Sequence, residues 1–400
     1  MKKTLIILVS VVLVISFTLF MSVGCQTGTT TATTTGAAAT TAAATTAAAT
    51  TAAAATTAAA ATTAAAGEKK AADFEIVFIV KADGIPWFDV ERLGLEQAAK
   101  DYGFKASVVG PPKADAALQA QMVEDYISKG VQAIAVCPND PASIEPVFQK
   151  ANQAGILTFG HEGSSFKNVS FDIEAMSNEV FGQSIMTDGI KLTGGKGGYV
   201  ASVGFLTSVS HNLWVDAELA YQQKNAPDFK DLLGYNKGSD RFEEKEDQSI
   251  AHDKILEYIK TYPDLSLVIG SPMTTGAAAG VAIEEKGLAG KLFFVGTGLP
   301  ITIGKYLKTG NFGVGYFWDP YQVGYALGYV ALNTWLGKAP MKGDAVVKPD
   351  GSKNPGYETL DIITNSNGGN VIFGTGQVRI DDKNVDEWYQ KFADYGWKQQ

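Results

Sequence analysis

The 400-residue sequence has only two cysteines, Cys25 and Cys137, and three histidines, His161, His211 and His252. Cys25 lies far from the folded body, in the N-terminal segment, so Cys137 is left without a partner there and a disulfide framework is excluded. Cys137 ends the apolar run "AIAVCPND" and reads as a buried free thiol that behaves as a small hydrophobe. No C-x-x-C, H-E-x-x-H or calcium-loop spacing occurs, and no metal or cofactor is expected. A G-x-S-x-G nucleophile elbow is also missing. "GGKGG" (194–198) enters a strand rather than opening a helix, which argues against a phosphate cradle. Basic residues are in deficit, 33 against 42 acidic, for a net charge of −9. No basic stripe is present, so nucleic-acid binding is not expected.

A second deficit is local. From Thr27 to Ala66 there is no charge, no aromatic and no large aliphatic residue, only Thr, Ala and two Gly. Such a segment cannot bury enough apolar surface to offset the entropy of ordering. Alanine favours helix, but the paired β-branched threonines oppose it. The segment therefore reads as a disordered spacer, spanning on the order of 35 Å as a coil and roughly 130 Å when stretched.

What precedes the spacer gives it a purpose. Lys2 and Lys3 are followed by an almost wholly apolar stretch, Thr4 to Val23, and then by small residues before Cys25. This is the plan of a secretory signal peptide, although the stretch is also long enough to span a bilayer. "SVGC" resembles a bacterial lipobox, in which the cysteine takes lipid and becomes the mature N-terminus. Residues 1–24 are read as the signal peptide and 25–73 as a lipid-attachment cysteine with its tether. The body is expected outside the cytoplasm, in the periplasm or at the cell surface.

Residues 74–400 alternate short apolar runs with amphipathic stretches. "EIVFIVK" (75–81) is a strand and "FDVERLGLEQAAKDYG" a helix; "QAIAVCP" and "ILTFG" are strands separated by the helical "SIEPVFQKANQAG". The alternation resumes with "GYVASVG", "HNLWVDAELAYQQ", "LSLVIGS", "GAAAGVAIEEKG" and "LFFVGTG". Glycines at 103, 130, 155 and 287 stand where helices end in a left-handed cap. Strand–helix–strand repetition implies parallel sheets covered on both faces. About four βα units lie before residue 172 and about four after it, which fits an α/β protein of two doubly wound parallel-sheet lobes. Ligands of such sheets collect at the carboxyl ends of the strands.

Several segments resemble the type I periplasmic solute-binding proteins of sugar ABC transporters. They are "FIVKADGIPWFDVERLGLEQAAKDYGFK", "DYISKGVQAIAVCPNDPASIEPVFQKANQAGILTF", "TYPDLSLVIGSPMTTGAAAGVAIEEKGLAGKLFFVGTGLP" and "GYFWDPYQVGYALGYVALNTWLGKAP". The "WDPYQVGY" stretch is similar to the branch with rhamnose-type and autoinducer-2-type receptors. The resemblance implies a three-crossing hinge, placed near Asp172, Tyr316 and Lys342. The N-terminal lobe would then be 74–172 plus 317–342, and the C-terminal lobe 173–316 plus 343–400. It also implies a monomer that closes on a small sugar-like ligand and is read by an ABC permease. A sensory receptor for a small signal such as autoinducer-2 or a nucleoside is the alternative. No enzyme is expected.

A sugar pocket needs aromatic plates and a few inward polar groups. Lys81 resembles the pocket lysine of the autoinducer-2-type branch, and Trp87 and Phe88 occupy the place of the family's aromatic pair. Asp140 reads either as a ligand contact or as a cap of the following turn. His161 and Glu162 in "FGHEG" stand where many members grip two hydroxyls with an aspartate. Ser210, His211 and Asn212 fall where the branch has polar contacts. Pro272, Met273 and Thr274 follow a later strand, Thr297 replaces a common aspartate, and Trp318 and Asp319 sit at a hinge crossing. The set shows fewer carboxylates than a hexose binder. A deoxy sugar, a furanose or a nucleoside is the ligand class it suggests.

Overall fold

The computed structural model describes residues 68–235 and 241–397. The expected signal peptide, Cys25 and nearly all of the tether lie outside the described residues. No described helix is long and apolar enough to cross a membrane.

The chain opens as an alternation. Strands β1 (Glu75–Ile79), β2 (Lys105–Val109), β3 (Ala133–Val136), β4 (Leu157–His161) and β5 (Phe171–Glu174) surround helices α1 (Pro86–Tyr102), α2 (Ala116–Lys129) and α3 (Pro141–Gln153). A second series follows. It holds α4 (Asn178–Thr193), β6 (Gly198–Val203), α5 (Val209–Asn225), β7 (Lys230–Asp231), β8 (Phe242–Glu243), α6 (Gln248–Thr261) and β9 (Leu265–Gly270). It continues through α7 (Met273–Lys286), β10 (Phe293–Thr297), α8 (Pro300–Leu307) and β11 (Gly313–Trp318). The chain ends with α9 (Pro320–Trp335), β12 (Asp361–Thr364), β13 (Asn370–Phe373), β14 (Gln377–Ile380) and α10 (Val385–Asp394).

These strands make two sheets, ordered β12-β13-β5-β4-β3-β1-β2 and β14-β11-β10-β9-β6-β7, with β8 paired to β6. Pairing is parallel except for β12–β13 and β11–β14. Parallel strands covered on both faces must be apolar throughout, and β3, β5 and β6 are buried at every position. In the first lobe, α2 and α3 cover one face of the sheet through Val123, Ile144 and Phe148. On the other face α1 packs against α9, with Gly94 facing Tyr321 O and Gly324 facing Glu91 O; neither site has room for a Cβ.

The chain passes from the first sheet to the second between Glu174 and α4, and returns between Trp318 and α9. It crosses a third time between Phe373 and Gln377. The third crossing expected near Lys342 is therefore displaced, and most of 343–373 does not belong with the second lobe. After α9 the chain stays with the first lobe, and β13 adds in parallel to the free edge of β5, pairing Val371 with Asp172. The physical reason is that an open edge of unpaired backbone groups is completed by this late hairpin.

Candidate functional site

The carboxyl ends of both sheets face one narrow cavity of about 30 Å³ at the lobe junction. The first lobe supplies Lys81 just after β1, Ile85, Trp87 and Phe88 at the start of α1, and Glu162 after β4. The second lobe supplies His211 and Trp214 from the first turns of α5 and Glu246 from the turn after β8. Ser271, Pro272 and Met273 follow β9, Thr297 ends β10, and Trp318 ends β11 at the hinge.

Charge concentrates at the centre. Lys81 Nζ lies 2.5 Å from Glu162 Oε2 and 3.6 Å from Glu246 Oε1, all in side chains no more than 7% exposed. Burial disfavours the Lys81 ammonium, but the Glu162 carboxylate outweighs this and raises its pKa above the usual lysine value. Burial likewise works to raise the Glu162 pKa, and Lys81 overrides it, leaving the group at about 2. Burial raises the Glu246 pKa, with Lys81 opposing. Glu91, fully buried behind Glu162, is pushed well above the carboxylate range by burial.

The two cavity carboxylates share an unusual backbone. Among the described residues, the non-glycine positions with positive φ are Glu162 (57°), Lys245 (57°) and Glu246 (56°). A left-handed conformation is costly for a residue with a Cβ and recurs at functional sites. Here it turns one carboxylate from each lobe towards the cavity. Gly204 permits the second placement, since a Cβ there would strike Glu246 Oε1.

His211 is fixed by its neighbour. The Gly204 N–H donates to His211 Nδ1 at 3.1 Å, so in the neutral ring Nε2 carries the proton. Burial, then the Lys81 charge, lowers the His211 pKa to about 3. His211 Nε2 and Lys81 Nζ are 3.5 Å apart. Two donors from opposite lobes thus converge on a position suited to one acceptor oxygen. Around them Trp87 and Trp318 meet edge-on at 4.7 Å, and Trp214 and Trp318 at 5.6 Å. The indole nitrogens of Trp87 and Trp318 are buried with no hydrogen-bond partner, as is Thr297 Oγ1.

Of the residues singled out in the sequence, Lys81, Trp87, Phe88, Glu162, His211, Met273 and Trp318 line the cavity. His161 stands behind it: Nδ1–H donates to Ile173 O at 2.7 Å, and Nε2 lies 3.7 Å from Glu91. Asp140 caps α3, accepting from Ala142 N and the Ser143 hydroxyl. Ser210 is buried beside the site without lining it. Asn212 donates to Ser208 O and accepts from Arg241, bracing the start of α5. Thr274 donates to buried Glu244 at 2.6 Å. Asp319 faces the hinge, where it accepts from Tyr395 at 2.5 Å and pairs with Lys391 at 3.1 Å. It lines a separate cavity of about 200 Å³ that shares Trp318 as a wall.

Sequence reasoning missed Trp214 and Glu246. Trp214 lies three residues after His211, a helical spacing that was available as a signal. Glu246 sits in the acidic run "EEKED", which reads as a solvated face. With Glu246 added, and Asp140 and Asp319 turned elsewhere, the cavity is lined by two carboxylates, one from each lobe. No group of three His, Cys, Asp or Glu among the described residues is placed to hold a metal.

Residues 76–339 match the model of the periplasmic binding protein domain, more than half of the chain. A curated relative, the ribose import binding protein RbsB of Bacillus subtilis, is 28% identical over 171 residues, covering 40% of this chain and 55% of its own. The match thus spans about half of that relative's length. Among solved structures, a solute-binding protein from Clostridium phytofermentas with bound L-rhamnose superposes with a TM-score of 0.72 at 21% identity, covering 80% of this chain and 98% of its own. LsrB from Clostridium saccharobutylicum in complex with AI-2 gives 0.71 at 18% identity, over 78% and 99%. A Burkholderia graminis protein in complex with D-arabinose gives 0.64 at 22%, over 79% and 98%.

Proposed function

This chain belongs to the periplasmic binding protein family, a family of extracytoplasmic solute-binding proteins rather than enzymes, and we propose that it is a lipid-anchored receptor that captures a sugar-like molecule. It acts as a monomer, closes its lobes on the ligand, and hands it to an ABC permease. The observation that carries this reading is the pairing, across the lobe junction, of Lys81 and Glu162 from one side with His211 and Glu246 from the other.

The chemistry suits an oxygen-rich ring. Lys81 Nζ and His211 Nε2–H converge on one ligand oxygen. Glu162 and Glu246 accept from hydroxyls, and charge-assisted hydrogen bonds of this kind are the strong ones. Trp87, Trp214 and Trp318 supply plates for the apolar face of the ring. Because each lobe holds half of the polar set, only the closed arrangement satisfies the ligand, and binding is thereby coupled to closure. The leader, Cys25 and the Ala/Thr tether support a body held near its permease yet free to turn towards it.

The three tryptophans make the site observable. Titrating the protein with pentoses, hexoses, deoxy sugars, autoinducer-2 and nucleosides while following tryptophan emission should give a saturable change with at least one of them. No change with any member up to millimolar concentration would contradict the proposal.

A further inference from the structure

We propose that the sugar taken by this cavity carries a protonated amine, and that Glu246 holds it. The inference rests on the receptor reading above and narrows its ligand. It starts from the charges that line the site: two carboxylates, Glu162 and Glu246, against one cationic side chain, Lys81, among the described residues. Lys81 is committed to Glu162 at 2.5 Å. Its distance to Glu246 is 3.6 Å, too long for a hydrogen bond, and Glu246 Oε1 has no hydrogen-bond partner although its side chain is only 7% exposed.

His211 does not fill the gap. Its Nδ1 is 4.0 Å from Glu246 Oε1 but already accepts the Gly204 N–H, so it has no proton to give. Glu91 and Glu244, both fully buried, supply no cation. The 3.6 Å ion pair with Lys81 leaves Glu246 Oε1 without a hydrogen-bond donor, and a cation from outside would supply one. An ammonium group supplies charge and donors together.

The walls favour the same group. Trp87, Phe88, Trp214 and Trp318 enclose the cavity, and aromatic faces attract a desolvated cation. A bare metal ion is poorly suited, because no trio of metal-ligating side chains is assembled among the described residues. Lys81 keeps N–H groups beyond the one given to Glu162, and together with His211 Nε2–H they suit a ligand oxygen. The occupant is therefore an amine-bearing sugar rather than a simple amine.

The test is calorimetric titration of the full chain in detergent at pH 6 with matched pairs: D-glucosamine and D-glucose, D-galactosamine and D-galactose, and the N-acetyl derivatives. The amine of at least one pair should bind tenfold or more tightly than its neutral parent, and acetylation should remove the gain. Glu246→Gln should reduce the amine-to-neutral preference about tenfold, with folding checked by circular dichroism. Neutral parents that bind as tightly as their amines would overturn the amine assignment and leave the receptor reading standing. Binding by none of these compounds, nor by any in the tryptophan titration, would overturn both.

Discussion

Lys81 Nζ and His211 Nε2 stand 3.5 Å apart across the lobe junction, and the Gly204 N–H on His211 Nδ1 makes both of them donors. Two donors do not bind each other, so the pair is organised around a third atom. Lys81→Met should remove this junction. It would leave Glu162 buried opposite Glu246, and breaking a buried pair from one side costs about 3–5 kcal/mol. Urea unfolding should show that loss, and sugar binding should vanish. A Lys81→Met protein of unchanged stability that still binds would remove Lys81 from the site.

Trp87 meets Trp318 edge-on at 4.7 Å and borders the cavity. Trp87→Ala should weaken ligand binding by about 1–3 kcal/mol, roughly ten- to hundredfold, through lost stacking area. Unchanged affinity in a folded variant would make this ring a packing residue only.

Glu218 is fully buried in α5 with neither oxygen hydrogen-bonded. Burial pushes its pKa up to about 8, with Arg241 opposing. The folded value lies above the ordinary one of 4.5, so Glu218 favours the fold when protonated. That contribution is fully present below pH 4.5 and is lost as pH rises towards 8. Glu218→Gln should therefore stabilise the protein by a few kcal/mol at pH 8 and change little at pH 4. Melting curves at the two pH values decide this; equal shifts would contradict the assignment.

Glycine is required where α1 crosses α9. A Cβ at Gly94 would strike Tyr321 O, a backbone atom that cannot step aside. Gly94→Ala should cost about 3 kcal/mol by overpacking, read from the urea midpoint. A cost below about 1 kcal/mol would mean that the helices separate freely.

Cys25→Ser should release the protein from membranes into the soluble fraction if lipid is the anchor. Continued pelleting with membranes would favour a retained apolar helix at residues 4–23 instead.

The alternation of strands and helices was legible because parallel strands must be apolar on both faces and the helices between them are amphipathic. Gly103, Gly130 and Gly287 stand at left-handed helix ends, where a side chain is disfavoured. The β12–β13 hairpin was not legible: "DIIT" and "NVIF" are short, and β12 is largely exposed, so neither carries a strong pattern. Site residues immediately after strands, such as Lys81 and Glu162, could be found because position alone points to them. Glu246 could not, because only a turn with positive φ brings a residue of an acidic run inwards.

The central claim is that the cavity between Lys81 and Glu246 takes a sugar-like ligand. A thermal-shift panel of pentoses, hexoses, deoxy sugars, amino sugars, autoinducer-2 and nucleosides tests it most directly. A ligand at 100 times its Kd adds about 2.7 kcal/mol, which should raise the Tm by a few degrees, and the shift should disappear in Lys81→Met. A panel with no shift at any concentration, or a shift that survives Lys81→Met undiminished, would contradict the account.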